Sequence, residues 1–235
     1  MARYNPLTYR QRTRALYNQL NQDIDIWEVG NEINGNWLGI YAFENSLAAF
    51  DEISSKQGRT AMTFFYEGER SDAKNCIPIS GQDMISWIKL KFQMQKDAKD
   101  RPAETERMRL GLTYVFVSWY PDQCNDLEPQ WTEIFDRLAM IFPNAKLGIG
   151  EIGPAKPQYG SDYEAKLIND YYSLAATYSL PKNYIGGNFW WHFVAEMVPD
   201  NKTPLLEILN KAILKAAKED PPGGRRVHLV NEQGL

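Results

Sequence analysis

The chain has 235 residues, 43% of them hydrophobic and 24% charged, which suits one soluble globular domain with a sizeable core. A net charge of −4 gives no electrostatic case for nucleic acid or for an anionic membrane surface. With two histidines, two cysteines and no Cys/His cluster, a zinc site and a Ser-His-Asp triad are both poorly supported.

In chain order, the pattern predicts a helix over Thr8–Asn21 and a short strand over Ile24–Val29. The strand runs into a polar turn holding Asn31 and Glu32. If it stays regular, Ile24, Ile26, Glu28, Gly30 and Glu32 share one face. A helix over Phe43–Gln57 follows, with Gly58 as its stop, and then a strand over Thr60–Tyr66 that ends at Glu67 and Glu69. Asp72–Gly81 reads as a loop containing Cys76. Gln82–Asp97 reads as a long helix, and Lys96–Arg109 as a charged, solvated helix end and loop.

The third strand is expected over Leu110–Val117, leading into Ser118–Asp126, and a helix over Glu128–Phe142 follows. Lys146–Glu151 is the fourth strand, stopped by Gly153-Pro154, with Leu147, Ile149 and Glu151 on one face by parity. Then come a helix over Tyr163–Tyr178, a strand over Tyr184–Trp191 and a helix over Pro204–Lys218. Residues 1–218 form the expected domain, and 219–235, with its Pro-Pro-Gly-Gly, a linker-like tail.

The strand starts fall 36 to 50 residues apart, which is βα-unit spacing and predicts parallel strands with helical crossovers. No glycine-rich phosphate loop favours a nucleotide enzyme. No apolar run of 18 or more residues suggests a transmembrane helix, and the charged N-terminus is not a signal peptide. A cytoplasmic place is the default expectation, with the export route left open.

Glu32 and Glu151 both leave apolar strands at the end where α/β folds carry reacting groups. Two such carboxyl groups suggest a pair working on one bond. Seven Trp and 13 Tyr supply core, and could supply surfaces for stacking sugar rings.

These residues resemble a family. Trp27-Glu28-Val29-Gly30-Asn31-Glu32 is similar to the fourth barrel strand of the clan of retaining β-glycosidases with (β/α)8 barrels. Gly148-Ile149-Gly150-Glu151 resembles its seventh strand. Ser118-Trp119-Tyr120 lies where the sixth strand often presents a Tyr, and Asn188-Phe189-Trp190-Trp191 resembles the eighth. The resemblance covers Thr8 to Lys218. It implies a partial (β/α)8 TIM barrel of about five parallel strands, strands 4 to 8, with the first three strands absent.

It further implies a retaining glycoside hydrolase acting on a β-linked oligo- or polysaccharide, without metal or organic cofactor. Glu151 would be the nucleophile and Glu32 the acid/base. Asn31 would bind the sugar 2-hydroxyl, Tyr120 would orient Glu151, and Trp190 rather than Trp191 would floor the site. Glu67 and Glu69, which end the second strand, are rim residues that could touch substrate hydroxyls, and Trp37 and Trp119 are rim candidates at lower weight. Glu28 is expected in a buried structural pair, and His192 in a plain polar contact. Cys76 and Cys124 fit either a disulfide or two free thiols.

The alternative is a truncated, inactive carbohydrate-binding or structural relic. Exposed barrel edges would favour self-association in either case.

Overall fold

The computed structural model describes residues 3–67, 83–124, 128–156, 160–199 and 204–219. Helix α1 (Pro6–Leu20) opens on Asn5, whose side chain accepts from the Thr8 N–H, with proline in the first turn. It lies on α2 (Ala42–Ser54), where Arg14 makes a bidentate pair with Glu52 at 2.9 Å and holds that carboxyl down at about 2.

The strands are β1 (Ile26–Gly30), β2 (Arg59–Phe65), β3 (Tyr114–Trp119), β4 (Lys146–Ile152) and β5 (Tyr184–Trp190). They form one sheet in the order β1-β2-β3-β4-β5, every pair parallel. Helix α2 crosses from β1 to β2, and the later crossovers carry α3 (Met84–Lys91), α4 (Ala103–Gly111), α5 (Trp131–Ile141), α6 (Asp162–Tyr172) and α7 (Leu174–Thr177). After β5 come α8 (Phe193–Met197) and α9 (Leu205–Glu219). The protein is thus an α/β fold with a parallel five-stranded sheet and helical crossovers.

The two faces of this sheet differ. Met62, Phe64, Val115, Val117, Leu147 and Ile149 point to the helices and are fully buried. They pack with Trp131, Phe135 and Leu138 of α5 and with Leu167 and Ile168 of α6, the main core. The opposite face carries Ala61, Tyr114 and Phe116 as a small separate cluster. On the two edge strands this second face is open: Ile26, Ile185 and Phe189 are 39%, 48% and 61% exposed. Large apolar side chains on unpaired edges are unusual for a finished surface.

Several elements depart from expectation. Leu110 and Gly111 close α4 rather than open β3, and α3 ends at Lys91, short of Asp97. The charged run before β3 holds a helix because its charges pair locally. Glu106 accepts from Arg101 at 2.8 Å and from Arg109 at 2.6 Å, while Met108 turns into the core. β1 begins at Ile26, not Ile24. Cys124 is buried and disulfide-bonded. Cys76, Glu69 and the loop over 72–81 lie outside the described residues, as do residues 220–235. Among the described residues, no helix is long and apolar enough to cross a membrane.

Candidate active site

The C-terminal ends of the strands carry the polar side chains, and two irregularities aim them. The register between β1 and β2 slips between Glu28 and Gly30. A Cβ on Gly30 would strike Ile33 and Ser46 of α2, so Gly30 points to the helices while Glu28 points to the open face. The regular alternation predicted from Ile24 to Glu32 therefore fails. Glu32 itself sits at φ +50, the left-handed region, in a turn closed by Gly35 N–H to Glu32 C=O at 2.8 Å.

Two neighbours hold this turn. Ile33 is buried beside it. The Asn34 side chain accepts from the Phe65 N–H at 2.8 Å and donates to the Phe65 C=O at 2.7 Å, standing in for a strand residue at the end of β2.

The second irregularity lies in β4. Val117 pairs with Ile149, but Trp119 pairs with Ile152, so β4 carries one extra residue there. Leu147, Ile149 and Ile152 stay in the helix-side core. Glu151 is turned away from that face, contrary to the parity expectation, and meets the loops after β1 and β3. Its Oε1 accepts from Asn31 Nδ2 at 3.2 Å and its Oε2 accepts from the Tyr120 hydroxyl. Asp122 accepts from the Ala155 N–H at 2.8 Å, tying the loop after β3 to the loop after β4.

A cleft of about 390 Å³ opens at this end, lined by Glu32, Trp37, Phe65, Tyr120, Gln123, Ala155 and Trp191. Its aromatic wall is continuous. Trp37 meets Phe65 edge-on at 5.4 Å, Phe65 stacks on Tyr120 at 6.0 Å, and Tyr120 meets Trp191 edge-on at 6.0 Å.

The two carboxyl groups sit in opposed surroundings. Burial, and then the charge of Glu151, push the Glu32 carboxyl up to about 7. Glu32 Oε1 is buried with no hydrogen-bond partner among the described residues. Glu151, by contrast, has two donors. Burial and the hydrogen bond to Glu151 push the Tyr120 phenol up, so it stays protonated and remains a donor. Glu28 accepts from Thr63 on the open face and is itself raised, chiefly by burial and then by the Glu151 charge. It has its expected pairing, with the buried Thr63, but on the open face of the sheet and not in the helix-side core.

Other expected positions fall differently. Trp190 is 5% exposed and donates through Nε1 to Glu196 at 2.7 Å, in the helix-side core. Trp191 lines the cleft instead. The shift comes from Gly186, Gly187 and Asn188, all at positive φ, where the β4–β5 register slips by one. Glu67 is buried and does not line the cleft. Trp119 is buried in the core, where its Nε1 donates to the Tyr171 hydroxyl at 2.6 Å. His192 Nε2 is buried with no hydrogen-bond partner among the described residues, and its ring lies 5.8 Å from that of Trp191.

Asn31, expected on a sugar hydroxyl, is turned to Glu151. Phe65, Thr63, Asn34 and Gln123 were not picked out by the sequence. Asn34, two residues past Glu32 in the turn over residues 30–35, was the one polar signal in the sequence, and it named no partner. Among the described residues no cluster of His, Cys, Asp or Glu could hold a metal ion.

No protein-family model matches the chain, and no curated protein matches it in sequence.

Proposed function

We propose that this chain is a partial (β/α)8-barrel domain of a retaining β-glycoside hydrolase. Glu151 is the nucleophile, Glu32 the acid/base, and the substrate a β-linked oligo- or polysaccharide. The reading rests on one observation above all. A carboxyl that lines an aromatic cleft, raised to about 7, feels the charge of a second carboxyl that is bound by two donors, one of them the Tyr120 of the cleft wall.

In the first step a Glu151 oxygen forms a bond to the anomeric carbon. The glycosidic C–O bond breaks, and the proton on Glu32 goes to the leaving oxygen. In the second, Glu32 takes a proton from water, the water oxygen bonds the same carbon, and Glu151 departs as carboxylate. Tyr120 and Asn31 donate to Glu151 and hold it oriented between turnovers. The aromatic wall suits the apolar C–H faces of pyranose rings.

The test is hydrolysis of aryl β-glycosides followed by NMR of the first-formed anomer. Retention of configuration is expected. Glu32→Ala should spare the first step only for a substrate whose leaving group needs no proton, such as a dinitrophenolate. Inversion, or equal loss on good and poor leaving groups, would overturn the assignment.

A second reading is a carbohydrate-binding or structural relic without turnover. The open face with exposed Ile26, Ile185 and Phe189 favours it, because an unclosed sheet weakens the rigidity a reacting pair needs. Sugar binding by calorimetry with no turnover on any glycoside would select it.

A further inference from the structure

Ser118 ends the inward-facing row Tyr114, Phe116, Ser118 on β3. It is wholly buried, it pairs with Phe65 in the sheet, and its carbonyl accepts from the Tyr66 N–H at 2.9 Å. Its backbone is therefore fixed. Its hydroxyl is not engaged: Ser118 Oγ is buried and has no hydrogen-bond partner among the described residues. Glu32 Oε1 is in the same condition. The two groups flank Phe65, which pairs with Ser118 in the sheet and whose backbone is bonded by Asn34 of the Glu32 turn; a buried hydroxyl and a buried carboxyl both left unsatisfied are uncommon, since nearly all such groups are bonded.

We propose that Ser118 is a positioning residue for Glu32, its hydroxyl donating to the carboxylate each time Glu32 gives up its proton. This rests on the hydrolase reading for its catalytic meaning, but the pairing itself does not. A Ser hydroxyl can turn, accepting from the protonated acid and donating to the carboxylate, so it serves both halves of an acid/base cycle without moving backbone. A donor to the ionised form lowers the acid's pKa, and the Ser118 hydroxyl acts on Glu32 in that sense. The other groups facing Glu32 oppose it: Glu151 from β4 and Glu28 from β1, both by charge. Tyr120, also beside it, stays neutral.

The experiment is direct titration of Glu32 by NMR of carboxyl-labelled glutamate, in the wild type, Ser118→Ala and Ser118→Thr. Ser118→Ala should raise the Glu32 pKa by about one unit. Ser118→Thr, which keeps the hydroxyl, should restore it. If hydrolysis is present, the basic limb of kcat/KM should move up in Ser118→Ala by the same amount.

An unchanged Glu32 pKa in a folded Ser118→Ala would overturn the proposal. So would a crystal structure at pH 9 with Oγ beyond about 3.5 Å from both Glu32 oxygens; that measurement needs no variant. A raised pKa in a protein that cleaves no glycoside would leave Ser118 standing and remove the hydrolase reading.

Discussion

At the end of β1 the chain turns through a glutamate at φ +50, and at the end of β4 it swells by one residue. The first delivers Glu32 to the cleft and the second turns Glu151 onto Tyr120 of the cleft wall, each into different company. Glu32 is set among a buried hydroxyl, an aromatic wall and a neighbouring negative charge, and is pushed up to about 7. Glu151 is met by an amide and a phenol that both donate. The contrast teaches that one residue type at two strand ends takes two chemical surroundings from its donors, its dehydration and its charged neighbours.

The comparison breaks most completely in Glu151→Gln. Glycoside cleavage should fall by at least about a thousandfold, because an amide cannot form the covalent intermediate. In the same variant Glu32 should titrate lower than in the wild type, since a neighbouring charge has gone; NMR titration checks this apart from activity. Tyr120→Phe removes one of the two donors to Glu151. Activity should drop by about 10–100-fold, because the nucleophile loses one of the two groups that orient it.

The Glu32 side of the contrast is testable through stability. Its carboxyl binds protons more tightly folded (about 7) than unfolded (4.5). The folded state therefore holds more protons between these values, and stability falls as pH rises through that window. Glu32→Gln should be more stable than the wild type by about 2 kcal/mol at pH 8 and no different at pH 4, by denaturant melts.

Asn34→Ala should cost about 2 kcal/mol, because the Phe65 N–H and C=O both lose a buried partner. It should also loosen the Glu32 turn and leave the Glu151 side intact. The smallest effect concerns the open face. Phe189→Lys should reduce any concentration-dependent association seen by light scattering, with little change in either carboxyl.

Much of the frame was legible. Apolar runs such as Leu147–Ile149 and Val115–Val117 announce buried parallel strands, and their spacing announces the crossovers between them. What escaped was local. Helix α4 was hidden because Arg101, Glu106 and Arg109 look like a solvated run until they are seen paired around a buried Met108. The exchange of Trp190 for Trp191 in the cleft follows from three positive-φ residues, and parity counting has no term for a slipped register.

The sequence by itself determined the five strands, their parallel order and the two glutamates at their ends, because hydrophobic period and unit length are properties of the chain. Only the tertiary structure decided which way each glutamate points and what surrounds it. A bulge of one residue reverses a strand's faces. A carboxyl's character depends on donors such as Tyr120 and Asn31 and on charges such as that of Glu151, which reach it through space from other strands.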